Sequence, residues 1–176
     1  MPQRVIMFRD DLNGLPRYTM PGGYTIRGYQ PGDREAWLYI HELAECDRPV
    51  DKDIYEEQFD DTDDVRAIRQ FFLLNTAGAE IGTASAWYGD DTQGRHWGRI
   101  HWVAIVPDEQ GHGLAKPFMS FICDKLIEFG HNNAYLTTWD VKAPAINLYL
   151  LFGFKPQING ENDRVIWDRV LAKCKY

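Results

Sequence analysis

At 176 residues the chain is one ordinary domain, long enough to bury a full core. With 44% hydrophobic and 26% charged residues it reads as globular rather than disordered. A net charge of −7 argues against the basic face of a nucleic-acid binder, and the apolar runs are too short to cross a bilayer.

Residues 1–23 read as an N-terminal appendage packing on a domain of residues 24–176. Arg4 to Phe8 can form a short strand, and Asn13-Gly14, Pro16 and Pro21-Gly22-Gly23 mark turns. No signal-peptide core precedes Arg9-Asp10-Asp11, so the chain reads as cytoplasmic. Tyr24 to Tyr29 alternates as a strand. Asp33 then caps a helix whose Ala36, Trp37, Ile40, Leu43 and Ala44 recur at helical spacing, ending before Pro49. Residues 51–69 are acidic and weakly helical. Phe71 to Leu74 and Ile81 to Tyr88 form a hairpin around Thr76 to Ala79. Arg99 to Val106 is a long strand stopped by Pro107. Leu114 to Phe129 is a strong helix closed by Gly130, with Pro117 tolerable in its first turn. Ala134 to Trp139 is a strand, Pro144 to Phe152 a short helix, and Arg164 to Leu171 reads as a final strand. The order predicts a mixed α+β domain around one sheet.

Cys46, Cys123 and Cys174 are odd in number and far apart, and read as reduced structural thiols. No CxxC pair or Cys/His cluster suggests zinc, so no metal is expected.

The segment most informative about chemistry is Val106-Pro107-Asp108-Glu109-Gln110-Gly111-His112-Gly113-Leu114-Ala115, between a long strand and a long helix. Its glycines let the backbone turn sharply and expose consecutive N–H groups. The helix N-terminus adds partial positive charge, making an anion site suited to a pyrophosphate. A P-loop would need Lys-Ser or Lys-Thr after its second glycine, which is absent. A dinucleotide fingerprint would need a third glycine where Lys116 stands. A coenzyme A loop wants Gln or Arg, two residues, Gly, one residue, then Gly or Ala. Gln110, Gly113 and Ala115 match it.

Here the sequence resembles the GNAT superfamily of acyl-CoA-dependent N-acyltransferases. A second element, Ala145 to Phe154, is similar to the family's A-x-x-L-Y-x-x-x-G-F helix end. The resemblance covers about residues 98–156. It implies a central mixed, mostly antiparallel sheet flanked by helices, with strands splayed at the acyl-CoA site. It implies acetyl-CoA as cosubstrate, held by Val103, Ala104, Ile105 and Val106 on the strand and by Gln110, Gly111, His112, Gly113, Leu114, Ala115 and Lys116 at the loop. Asn147 on the later helix is a further expected contact. Family members often carry Asn six residues before the tyrosine, where this chain has Ala143.

The resemblance implies that Tyr149 is the acid for the departing thiolate, since a phenol within reach of sulfur can protonate it; a packed helix-end aromatic is the other reading. Strict alternation puts residues 99, 101, 103 and 105 on one face of the strand and 100, 102, 104 and 106 on the other. His101 has the pKa range of a base for the attacking amine, with water as the other acceptor. A strained or unpaired N–H near Val103 or Ala104 can serve as oxyanion donor. Glu56-Glu57, Asp60 to Asp64 and Asp90-Asp91 can attract a cationic amine or form a solvated face. Trp87, Tyr88, Trp97 and Trp102 either line an acceptor pocket or fill the core. The expected reaction is acetyl transfer from acetyl-CoA to a primary amine of a small molecule or peptide, by direct attack, in a monomer or homodimer without nucleic-acid or membrane partners. A larger acyl group, or a non-catalytic acyl-CoA sensor, is the alternative.

Overall fold

The computed structural model describes residues 1–44, 49–59, 62–90 and 94–175. The chain opens with strands β1 (Arg4–Arg9) and β2 (Thr25–Gly28), then helices α1 (Arg34–Ala44), α2 (Lys52–Gln58) and α3 (Asp63–Arg69). Strands β3 (Gln70–Leu74), β4 (Glu80–Asp90) and β5 (His96–Ile105) follow. A 3-10 turn at Pro107–Glu109 leads into α4 (Ala115–Glu128), β6 (Ala134–Trp139), α5 (Ala143–Leu151), β7 (Lys155–Pro156) and α6 (Glu161–Leu171). The strands form one seven-stranded sheet of order β2-β3-β4-β5-β6-β1-β7. Among the described residues only β5 and β6 pair in parallel, so the sheet is mixed and mostly antiparallel as expected.

The two acidic helices owe their starts to caps. The Asp51 carboxylate accepts from Ile54 N at 3.0 Å, and the Thr62 hydroxyl accepts from Val65 N at 3.5 Å. Asp33 does not act mainly as a cap for α1. Its carboxylate is bound by the Arg27 guanidinium and by Gln30 N.

Helices cover the sheet unequally. Tyr55 of α2 donates to Gln70 Oε1 at 3.1 Å, and Trp37 of α1 packs on Trp102 of β5. These two helices therefore lie on the face shared by Gln70, Ser85, Trp87 and His101. On the other face Phe71 meets Phe121 of α4 at 4.9 Å between ring centroids. The end of α5 lies on that same face, where Arg9 of β1 donates to the Phe152 carbonyl at 2.6 Å. The C-terminal tail then packs on α5, with Lys175 N donating to Asn147 Oδ1 at 2.8 Å.

Two segments depart from the sequence reading. Residues 4–9 are no appendage: β1 is inserted between β6 and β7, an interior position. The rest of the segment does run along α4, where Tyr18 N donates to Ser120 Oγ at 3.1 Å and Arg17 pairs with Asp124 at 2.8 Å. At the other end, residues 164–171 lie in helix α6 rather than a strand. The β-branched residues Val165 and Ile166 favour a strand by up to about 1 kcal/mol. The buried pair is Trp167 and Val170, three residues apart, which share a face only on a helix. Burying two such side chains contributes about 2–3 kcal/mol each and decides the outcome.

Candidate active site

The β5–β6 ladder is short. Its pairs are Gly98 with Ala134, Arg99 with Tyr135 and Ile100 with Leu136. Past Ile100 and Leu136 the strands separate, while β5 continues to Ile105 and β6 to Trp139. The divergence leaves a fork through the sheet whose one arm is the backbone of residues 101–106.

That arm is also bulged. Ser85 pairs with His101 and Thr83 with Ala104, so Ala84 alone opposes both Trp102 and Val103. Trp102 carries the bulge at φ +48°, in the left-handed region rarely used by bulky residues. The bulge overturns strict alternation along β5: His101 and Ala104 share one face. Trp102 is held there by its neighbours, with its ring on Trp37 at 5.0 Å and His41 at 4.9 Å. Its indole N–H donates to Gln58 Oε1 at 3.3 Å.

At the far end of β5, Val106 N donates back to Ile81 O at 2.9 Å, and the chain turns toward α4. Gln110 braces this turn, donating from Nε2 to Ile105 O at 2.8 Å. Gly111 and Gly113 adopt φ of +82° and +77°, and a Cβ built on either meets nothing within 4 Å. These glycines are therefore required by backbone conformation, and packing leaves room beside them. Among the described residues, the N–H groups of Gly111, His112, Gly113 and Leu114 have no protein acceptor. Leu114 supplies no side-chain cap to α4, and the first turn of that helix, with Ala115 and Lys116, holds no acidic residue. The positive end of the α4 dipole is thus open.

The His112 side chain faces outward and its Nδ1 lies 3.2 Å from Glu109 Oε2. The same carboxyl accepts from Tyr24 Oη at 3.1 Å and from Asn75 Nδ2 at 3.4 Å. The His112 hydrogen bond is the largest of the effects holding the Glu109 carboxyl below its ordinary pKa. Glu109 was not anticipated from sequence, because a lone acid before a glycine loop gives no sign that it ties the loop to Tyr24, just before β2, and to Asn75 in the β3–β4 turn. Lys116 Nζ lies 5.3 Å from the centre of the Tyr18 ring.

Tyr149 is buried on α5 and its ring sits 6.5 Å from that of Phe154. Its carbonyl accepts from Phe154 N at 3.0 Å, which fixes the Gly153-Phe154 turn. Asn147, on the same helix, uses its side-chain carbonyl to hold the tail at Lys175.

His101 is 3% exposed, enclosed by Phe59, Trp87 and Trp102. Burial foremost, then the charge of Arg99, holds its imidazole well below the ordinary histidine pKa, against an opposing hydrogen bond to the Gln58 backbone. As pH falls through about 6.5 the unfolded chain binds a proton that folded His101 refuses, so stability drops. We expect His101→Gln to remove up to about 1.4 kcal/mol per pH unit from this acid-side loss. Urea unfolding at pH 7, 6 and 5 measures it, and equal slopes in both proteins would reject the assignment. The pH–rate profile of the same variant reports whether the ring takes part in proton transfer.

The acidic stretches are largely engaged in local pairs. Glu56 binds Arg34 at 3.0 Å, Asp63 binds Arg66 at 3.0 Å and Asp90 binds His96 at 3.0 Å. Asp60, Asp61, Asp91 and Cys46 lie outside the described residues. Of the aromatic residues, Trp87 and Trp97 are buried, while Tyr88 stacks on Trp87 at 5.5 Å. Among the described residues no cluster of three or more His, Cys, Asp or Glu could hold a metal, and no helix is long and apolar enough to cross a membrane.

Known proteins resemble this chain in sequence and in fold. The mycothiol acetyltransferase of Thermomonospora curvata is 28% identical over 149 residues, covering 80% of this chain and 47% of that protein. The chain thus spans about half the length of the curated relatives it matches. A GCN5-related N-acetyltransferase from Sphaerobacter thermophilus superposes with a TM-score of 0.69 at 19% identity, covering 89% of this chain and 49% of that one. A chain of the NatC complex, solved with Gag peptide and CoA, gives 0.58 at 20% identity, covering 72% of this chain and 81% of its own. The profile of the Acetyltransferase (GNAT) family matches residues 37–154, from within α1 to the Gly-Phe turn after α5. Two thirds of the sequence, the forked sheet and the open loop before α4 agree: the chain belongs to the GNAT acetyltransferase family.

Proposed function

We propose that the chain transfers an acetyl group from acetyl-CoA to a primary amine, by direct attack with both substrates bound. The observation that carries this reading is the juxtaposition of the β5–β6 fork with the unpaired N–H groups of Gly111 to Leu114. That loop is suited to the pyrophosphate. The backbone of Val103 to Val106 is suited to the extended chain between pyrophosphate and thioester, as a partial extra strand. A structural neighbour solved with CoA supports the donor, and the relatives' name supports acetyl as the group moved.

In this reading the amine nitrogen attacks the thioester carbonyl, and the backbone N–H at the Trp102–Val103 bulge stabilises the oxyanion. The carbon–sulfur bond breaks, and the Tyr149 hydroxyl supplies the sulfur with its proton. We assign the amine's proton to water in the fork rather than to His101, because the imidazole is enclosed by aromatic rings. Cys123, the cysteine nearest the loop in sequence, is buried and its thiol is pushed up to about 12, so it carries no acyl group at neutral pH. Gln110 and Asn147 act as braces in this reading, since their side chains are already bound within the protein. We place the reaction in the cytoplasm.

The test is release of free coenzyme A thiol from acetyl-CoA across polyamines, aminoglycosides, amino acids and peptides. Acceptor-dependent release with an acetylated product supports the reading. Binding of acetyl-CoA without release under any acceptor would mark a sensor, and preference for a longer thioester would mark a different acyl group.

A further inference from the structure

The described contacts of α1 and α2 leave one half of the face they share uncovered by either helix. Along β1 and β6, Val5, Met7, Ala134 and Leu136 are buried against the opposite side. Their alternates Arg4, Ile6, Phe8, Tyr135 and Thr137, with Arg99 of β5 in register with Tyr135, share the α1–α2 face and remain half-buried or exposed. The contacts of α1 and α2 fall on β3, β4 and β5. Arg99 stands one residue before the last β5–β6 pair, at the base of the fork. A molecule on this face therefore meets the fork from the side opposite the α4 loop.

Arg99 is unusual among the arginines. Arg17, Arg27, Arg34, Arg66, Arg164 and Arg169 each pair with a carboxylate. Among the described residues, Arg4, Arg9 and Arg99 have none, and Arg9 is bound instead by the carbonyls of Asp11, Asn13 and Phe152. Arg99 Nε is buried without a partner, and its guanidinium carbon lies 5.6 Å from the centre of the Tyr135 ring. Its surroundings make matters worse for the charge: burial and then Arg4 lower its pKa, and only the Tyr135 phenol opposes them. A chain with 26 acidic and 19 basic residues has carboxylates to offer, yet among the described residues none pairs with Arg99. A half-buried guanidinium kept without an anion is costly unless a ligand supplies one.

We propose that the acceptor amine also carries a carboxylate, and that Arg99, with Arg4 beside it, receives that carboxylate on the uncovered face of the fork. This inference rests on the acetyl-transfer reading and names its substrate class. It leaves the acidic stretches as a solvated face, the second of their two readings. Arg99 offers two N–H groups to a planar carboxylate, which fixes the amine's direction as well as its affinity.

The experiment compares amino acids and dipeptides with their own carboxamides as acceptors. Wild-type kcat/KM is expected to favour the acid by about tenfold to a hundredfold, the range of a charge-assisted pair. Arg99→Gln should bring the acid and carboxamide values together through KM of the acid, while the Kd of acetyl-CoA holds. Arg99→Lys should keep part of the preference, since the charge remains, and it guards against a folding defect in the glutamine variant. Equal use of acids and carboxamides by the wild type, or equal losses on both in Arg99→Gln, overturns the inference. So does a wild type that binds acetyl-CoA and acetylates no carboxylate-bearing amine. A wild type that binds no acetyl-CoA fails the acetyl-transfer reading instead.

Discussion

Acetyl-CoA is expected to raise the melting temperature of the wild type and to leave that of Gly113→Glu unchanged. A ligand bound only by the folded state stabilises it by about 2.7 kcal/mol at a hundredfold excess over Kd. For a chain of this size that is roughly 5–10 °C. Gly113 sits at φ +77°, with open space where a side chain would begin. A glutamate there costs about 1–2 kcal/mol for the left-handed backbone and meets no wall, so the variant folds. Its carboxylate stands among the N–H groups of Gly111 to Leu114 and neutralises the positive end of α4, where the pyrophosphate would bind. Gly113→Ala imposes the same backbone strain without the charge and should keep part of the shift. A glutamate variant with a wild-type shift would remove the loop from donor binding.

Tyr149→Phe is expected to lower kcat by roughly tenfold to a hundredfold with little change in acetyl-CoA Kd. The ring is buried against Phe154, and phenylalanine keeps that packing. Only the hydroxyl is lost, and with it a proton donor whose value grows as charge develops on sulfur. An interaction made in the transition state shows in kcat rather than in ground-state binding. General acids contribute about 10²–10⁴-fold; the low end applies because a thiolate with a pKa near 8.5, by analogy with cysteine, is already a tolerable leaving group. Steady-state rates with one good acceptor and a separate Kd decide it. A variant with wild-type kcat would return Tyr149 to the core.

Local signals were legible in the sequence. The glycines before α4 and the strand before them carry their geometry within a few residues, and both appear where expected. The turn after α5 is equally local. What could not be read depends on partners distant in sequence. The bulge at Trp102 exists because Ala84 opposes two residues, and nothing in the local sequence violates alternation. His101 looked like a base by residue type; Phe59, Trp87 and Trp102 enclose it only once α2 docks. Residues 164–171 are rich in strand formers, and the helix is decided by where Trp167 and Val170 are buried. Arg99 became informative only when register put it beside Tyr135 and within reach of Arg4's charge.

The place of β1 bears on how the molecule is made. This strand leaves the ribosome well before its partners, residues 134–139 and 155–156. Until those residues emerge, its N–H and C=O groups must wait on water or a chaperone. Closing so long a loop is entropically unfavourable before any hydrogen bond repays it, and such pairings are slow. The β2–β5 half of the sheet, built from neighbours in sequence, can form while translation continues. The second arm of the fork gains its outer support only after residues 134–156 have emerged, so a nascent chain can hold a folded β2–β5 sheet well before it has a cleft to hold a substrate.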